Sequence, residues 1–490
     1  MPPKYYSKNS KQYVLKKKKT TTIETTETTN NYENTPYLLI VESPSKCKKI
    51  EEYLGEQYRC IASKGHLRFI ESLKSIDSDY SIQFSIMEEK QDHIHWMKQV
   101  IHDFQSTNIL LATDDDREGE AIAWHICDIF HLPIETTKRI IFHEITKPAI
   151  QQAIQNPTRI NMNLVNAQKA RQVLDMFVGY KISPLLWTKS NNTLSAGRCQ
   201  TPALRLVYEN EKNQHELEMT YKTNGFFFSQ NIEFHLNRDF DNEQDVYDFL
   251  EQSKTYDSMF SMKSPKQMMK KAPIPLNTSN LLQLASNVLH YSPHETMSLC
   301  QRLYQNGDIT YMRTDNTKYA KVFIDKIKPF ITTTWNETYL SNTIDDLISD
   351  DNKNPHEAIR VIHLEKRTLE NHNDTRLCSL YQFIWKHTMQ SCMSDFVYTM
   401  TECHITAPMN THYIHRIEIP VFLGFMTIEK KTENKIGEQT SKQLFLSMVD
   451  KTKKVPMNYI ESTVSAQYRN HHYTEASLIK QLEELGIGRP

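Results

Sequence analysis

No Cys-x-x-Cys pair occurs anywhere in the 490 residues, although eight cysteines are scattered along the chain. That excludes a zinc ribbon built on paired thiols and argues against a disulfide framework. Reduced thiols in an intracellular protein are the simplest reading, with the compartment left open between cytoplasm and nucleus. No apolar run reaches the ~20 residues that a membrane-spanning helix needs, and the start lacks the apolar stretch of a secretory signal. A Gly-x-x-x-x-Gly-Lys-[Ser/Thr] loop is also missing, so the sequence offers no phosphate cradle of the ATP-binding kind. Glycine is scarce at 11 residues, there is no long internal repeat, and the formal net charge of −1 by itself announces no nucleic-acid partner.

What is present fits a large globular chain. Hydrophobic residues make up 39% and charged residues 24%, enough apolar surface for several cores. The length predicts roughly three or four domains. Charge is concentrated at the start, where Lys4, Lys8, Lys11 and Lys16 to Lys19 precede a run rich in threonine from Thr20 to Thr29. Residues 1–36 therefore read as a basic, disordered tail. It could hold phosphates nonspecifically, act as a localisation signal, or simply solubilise the chain.

The most informative run is Asp114-Asp115-Asp116-Arg117-Glu118-Gly119-Glu120, set between the apolar Ile109–Ala112 and the helical pattern Ala121–Trp124. An acid run is by default a solvated turn. Acids where a buried strand gives way to a helix instead occupy the usual edge of an α/β active site. If the run is extended, Asp114, Asp116 and Glu118 point to one side, a hard-oxygen set suited to Mg²⁺. A second buried strand is predicted at Leu38–Val41, followed by Glu42-Ser43-Pro44-Ser45-Lys46 and a helix to about Leu54 that Ser43 or Ser45 can cap. Lys46 opposes the helix dipole, a mild functional flag.

Further along, 164–180 reads as an amphipathic helix with Leu164, Ala167, Ala170, Leu174 and Phe177 on its apolar face, and Arg171 and Asp175 spaced to pair. Strand-like stretches lie within 206–270 and 396–462. Between them Ser292-Pro293-His294-Glu295 opens a helix that Asn306-Gly307 ends, and Ile309–Asp315 reads as a strand leaving it, as in a winged-helix unit. A last helix runs from Glu475 to Leu485.

These pieces, taken together, resemble the type IA DNA topoisomerases. Leu39–Lys46 resembles their first motif, Ala112–Glu120 their acidic motif and Phe142-His143-Glu144-Ile145-Thr146 their third. Ser195–Leu204 resembles the central motif and Ile309–Asp315 the active-site tyrosine motif. Pro355–Arg360 and Thr474–Ser477 follow in order. The match covers about 37–490 and, from Tyr311-Met312-Arg313-Thr314, is nearer bacterial topoisomerase I than topoisomerase III. Departures are Cys199 for the usual Val, Asn316 for Ser, and Asp115 at a position that is often apolar. The final motif breaks off at Pro490 where the family continues, which implies a truncated base domain.

The resemblance implies a multidomain α/β plus α+β architecture with a toroidal outline. A Toprim metal-binding domain would span 37–153, a base domain 154–205 and 463–490, a strand-rich arch 206–270 and 396–462, and a winged-helix-like domain carrying the tyrosine 271–395. Tyr311 would be the nucleophile, forming a 5′-phosphotyrosine with Arg313 steadying the phosphate. Glu42 or Lys46 would protonate the leaving 3′ oxygen, the choice remaining open. Asp114, Asp116 and Glu118 would hold Mg²⁺, with Glu42 as a further ligand. Arg117, Arg171, Asp175, Arg198, Gln200, His356 and Arg360 would bind DNA. The implied activity is Mg²⁺-dependent, ATP-independent relaxation of negatively supercoiled DNA by a monomer without membrane attachment. Two other readings stand beside it: a Toprim nuclease or primase-like enzyme sharing only the acidic domain, and a DNA-binding fragment without strand passage.

Overall fold

The computed structural model describes residues 36–188, 194–212, 217–350, 356–369, 374–429, 432–468 and 472–487. The basic tail and the final three residues lie outside that set. Among the described residues no helix is long and apolar enough to cross a membrane.

The N-terminal unit is a four-stranded parallel sheet. Strand β1 (Tyr37–Val41) leads into helix α1 (Pro44–Leu54) and returns as β2 (Tyr58–Ala62); β3 (Ile109–Ala112) leads into helix α2 (Arg117–Phe130), and β4 (Lys138–Arg139) closes the order β2-β1-β3-β4. After β1 the chain builds outward to one side with β2 and to the other with β3. The carboxyl ends of β1 and β3 therefore flank a topological switch point, where α/β sheets place their ligands. Val41 pairs in register with Ala112, so Glu42 and the loop that begins at Thr113 leave the sheet side by side.

The continuous apolar runs are explained by burial on both faces. Leu38, Ile40, Ile109 and Leu111 enter one core with Ile94, Met97, Ile122 and Ile126. Their neighbours Leu39, Val41, Leu110 and Ala112 enter another, which continues without a break into Leu299, Leu303, Tyr304, Tyr311, Tyr319 and Ile359 of the tyrosine-bearing unit. The alternation of one short strand thus ties that unit to the sheet.

A second, antiparallel sheet draws Leu217–Phe227, Ile232–Leu236, Phe260–Met262 and Lys266–Lys270 from one part of the chain. Phe396–Ala407, Thr411–Phe422 and Met457–Tyr468 come from another. Its core is rich in aromatics, among them Phe227, Phe234, Phe249, Phe260 and Tyr413.

Three local expectations change. The helix expected at 164–180 runs over Met162–Trp187 as α3. It buries Val165, Gln168, Val173 and Ser183, while Leu174 is about half exposed; α2 approaches a different face from the one apolar spacing picked out. Ile309–Asp315 is not a ladder strand: Ile309 makes one isolated bridge to Val361, and Thr310 and Tyr311 bond singly to Arg360 and His143. Ser43 occupies the N-cap of α1, but its hydroxyl lies against that of Ser45 at 2.8 Å and caps nothing. The cap expected at Ser292 does form, accepting from the Glu295 amide, and Asn306 and Gly307 terminate that helix as read.

Leu38 and Leu39 are both fully buried, so Leu38→Ala and Leu39→Ala should each cost about 2–5 kcal/mol in a denaturant titration. Only Leu39→Ala faces the shared core, so only it should speed hydrogen exchange in 309–315.

Candidate active site at the strand ends

Loop 113–116 is fixed by a buried arginine. Arg139 has no exposure. Its guanidinium donates to the carbonyls of Thr113 (2.7 Å), Ile140 (2.8 Å) and Asp114 (2.8 Å), and pairs with Glu120 at 3.1 Å. Glu120 in turn accepts from the Asn161 amide at the start of α3. Thr113 donates to the Gly119 carbonyl at 2.6 Å, folding the loop against the first turn of α2. Gly119 is obligatory for closeness: a Cβ there would meet the Asp114 carbonyl oxygen at 2.1 Å.

The acid run is therefore not extended. Asp116 is the N-cap of α2, accepting from the Gly119 amide at 2.7 Å, and Glu118 lies in the first helical turn. The three proposed ligands face different partners. Asp114 pairs with the fully buried Lys46. Asp116 takes the Tyr311 hydroxyl at 2.7 Å and Arg313 at 3.1 Å. Glu118 is bound by His66 (3.0 Å), Gln168 (3.0 Å) and Arg171 (3.2 Å). The hydrogen bond from His66, assisted by Gln168 and opposed by burial, holds its carboxyl down at about 2.

Tyr311 is only 3% exposed and packs edge-on to Tyr304 at 5.3 Å. Burial, then the charges of Asp116 and Asp114, push its phenol far above the usual range; Arg313 works the other way. Lys46 lies over the Tyr304 ring at 4.8 Å. Glu42 stands among these groups, and burial followed by the charge of Asp114 raises its pKa to about 7. Although Tyr311 and Arg313 do not sit on a regular strand, both reach the same oxygen of Asp116.

Of the remaining candidates, Arg117, Arg171, Arg313 and His356 line a cleft of about 490 Å³ with Asp115, Asp116 and Glu118. Arg171 is 3.8 Å from Asp175, which also holds Arg198 at 2.7 Å, so a chain of charges runs from Glu118 along α3. Gln200 bonds back to Ser195 at the start of its helix. Arg360 stands apart: it is buried, grips Glu357 through two bonds, reaches Glu144 at 2.9 Å and covers the Phe323 ring. Asp115 accepts from His143 at 2.8 Å and lies 3.9 Å from His356. Sequence reading missed Arg139, Glu120, His66 and Gln168. A signal for the first was available, since Arg139 is the cation that directly precedes the apolar Ile140-Ile141-Phe142.

Comparison with known proteins follows the same division. Residues 37–145 match the Toprim domain family, and residues 159–490 match the family described as DNA topoisomerase. DNA topoisomerase 1 of Rickettsia bellii is 33% identical over 499 aligned residues, which cover 92% of this chain and 60% of that protein. The solved structure of full-length topoisomerase I from Thermotoga maritima superposes with a TM-score of 0.74 at 29% identity, covering 92% of this chain and 76% of that one. The chain thus spans about three fifths of the curated relative it matches.

Alanine in a helix ordinarily gains about 1 kcal/mol over glycine. For Gly119→Ala the contact with Asp114 reverses the sign, and thermal unfolding should show a net loss of about 1–3 kcal/mol.

Proposed function

Since this chain belongs to the type IA DNA topoisomerase family, nearest to topoisomerase I, we propose that it relaxes negatively supercoiled DNA without ATP. It does so by cutting one strand through a 5′-phosphotyrosine, passing the other and resealing. The observation that carries this reading is the Tyr311 hydroxyl donating at 2.7 Å to Asp116, with Arg313 on the same carboxylate. A nuclease using the acidic domain alone would have no need of a phenol in that position. All these groups come from one chain, so a monomer suffices.

In the proposed cleavage the Tyr311 oxygen bonds to phosphorus as the bond from phosphorus to the 3′ oxygen breaks. The phenolic proton passes to Asp116, and the leaving oxygen takes a proton from Glu42. Glu42 is suited to this because its raised pKa keeps part of it protonated at neutral pH. Lys46 is buried, with its charge committed to Asp114, so we assign it to positioning that carboxylate. Arg313 stabilises charge on the phosphate. One phosphodiester replaces another, so no nucleotide need be hydrolysed.

Glu42, Asp114 and Asp116 would hold Mg²⁺, with Glu118 on the side facing α3. The residues fit: Asp114 and Asp116 both push Glu42 toward protonation, and a hard dication with oxygen ligands relieves that crowding. When bound, Mg²⁺ would offset the charge of these carboxylates and supply electrostatic stabilisation for the phosphate during resealing. Arg117, Arg171 and Arg198 would follow the backbone of single-stranded or melted DNA, with Asp175 and Gln200 holding the track in shape. His356 would face the phosphate from the opposite wall, and Arg360 would act as buried scaffolding.

Tyr311→Phe should abolish both plasmid relaxation and the denaturant-stable DNA adduct, which peptide mapping of the wild type should place on Tyr311. Strand cutting that survives in Tyr311→Phe would mean a nuclease instead. The pH dependence follows from Glu42. Its acid form is lost as pH rises through about 7, while Tyr311 titrates far higher, so metal-free oligonucleotide cleavage should fall toward tenfold per unit above pH 7. Glu42→Gln should be slow and flat across that range.

A further inference from the structure

We propose that Asp115, His143 and His356 form a second cation site, selective for a borderline divalent transition metal of the Zn²⁺ or Mn²⁺ class. It is distinct from the oxygen-rich set that would take Mg²⁺. One ligand atom from each residue lies within 4.8 Å of the other two. His143 Nε2 donates to Asp115 Oδ2 at 2.8 Å, and His356 Nδ1 is 3.9 Å from the same oxygen. The latter is too long for a hydrogen bond, yet it suits ligands sharing an ion. Donors about 2.0–2.2 Å from a tetrahedral metal stand roughly 3.3–3.6 Å apart, midway between these two distances. The imidazole rings of His143 and His356 are already set edge-to-face, with centroids 5.2 Å apart.

Donor chemistry sets the selectivity. Two imidazoles and one carboxylate favour Zn²⁺, Mn²⁺, Co²⁺ or Fe²⁺ over Mg²⁺, which prefers oxygen and keeps its waters. The same three-ligand set with an open position is a known zinc arrangement. The metal would replace the proton that His143 Nε2 now shares with Asp115. Each ligand comes from a different segment: the loop after β3, the loop after β4, and the stretch before Val361. An ion would therefore cross-link the sheet to the tyrosine-bearing unit. Asp115 and His356 line the cleft, so the open position faces it. Across the His356 ring, whose centroid is 5.7 Å from that of Tyr311, the ion would place positive charge near the nucleophile.

Co²⁺ is a suitable probe because its visible absorption reports the ligands. Titration of the whole chain in excess Mg²⁺ should give one saturable equivalent with a weak d–d band. Asp115→Asn, which keeps size, and Asp115→Leu should each weaken it by more than about tenfold, since even outer-shell losses cost that much. Circular dichroism checks that the variants fold, and Asp115→Asn serves if Asp115→Leu does not. No saturable equivalent, competition by Mg²⁺ at equal concentration, an intense thiolate charge-transfer band, or unchanged binding in a folded variant would overturn the proposal. None of these readouts depends on strand passage, so the cation site and the topoisomerase reading fail separately.

Discussion

The buried guanidinium of Arg139 is the group on which the site depends. A fully desolvated charge is tolerated only when paired and hydrogen-bonded on all sides. Arg139 meets that demand with Glu120 and four backbone carbonyls, the longest bond going to Leu111. Those carbonyls belong to β3 and the segment that leaves it, and to the strand beside it. Satisfying one cation therefore dictates how the chain turns from sheet to helix. Once Thr113 and Asp114 are held by their backbones, the side chains of Asp114, Asp115 and Asp116 fan out in fixed and different directions. Losing either member of the Arg139–Glu120 pair would leave the other charge buried alone, a cost of about 3–5 kcal/mol, and would free the loop that carries the chemistry.

The tyrosine-bearing unit reaches this loop through the core, not through the sheet ladder. Leu39, Val41 and Leu110 pack into the same cluster as Leu303, Tyr304 and Ile359. The backbone contributes single bonds, such as Tyr311 to His143. Apolar packing without a ladder is non-directional, so the polar contacts set the register. Polar contacts that cross the boundary include Tyr311 and Arg313 to Asp116, Gln305 to Ser43, Lys49 to the Asn306 carbonyl, and Arg360 to Glu144. The buried phenol with its raised pKa is the consequence. The same closeness that aims Tyr311 at Asp116 also disfavours its phenolate.

Much of the fold was legible because it rests on short-range signals. Two apolar tetrads, each followed by a turn and a helix pattern, describe β1 and β3, and Ser292-Pro293 with Asn306-Gly307 brackets a helix through cap chemistry alone. What stayed hidden depends on long-range satisfaction of polar groups. Nothing near Arg139 in sequence says that it will meet carbonyls 25 or 26 residues earlier, and nothing near Glu118 announces His66 or Gln168. The face of α3 was misread for a related reason. Its buried positions are set by the elements packed on it, which include Gln168 because Glu118 offers a partner, while Leu174 is left at the surface. Ile309–Asp315 has the composition of a strand, but no neighbouring strand in the fold gives it a ladder.

The separation of the acids is what permits several tasks within five residues. Carboxylates on one side of an extended strand would repel one another and titrate together. The bend at Asp116 prevents this by assigning each a different partner: Lys46 for Asp114, His143 for Asp115, Arg313 for Asp116, His66 and Arg171 for Glu118. Glu42 is the exception: burial first, then the repulsion of Asp114 and Asp116 against the partly offsetting charge of Lys46, pushes its carboxyl up to about 7. Glu118, held down at about 2, and Glu42, pushed up to about 7, can then differ in protonation at a single pH. The turn from strand to helix, imposed by Arg139 and Gly119, is thus the step by which a run of like charges becomes a set of groups with different partners.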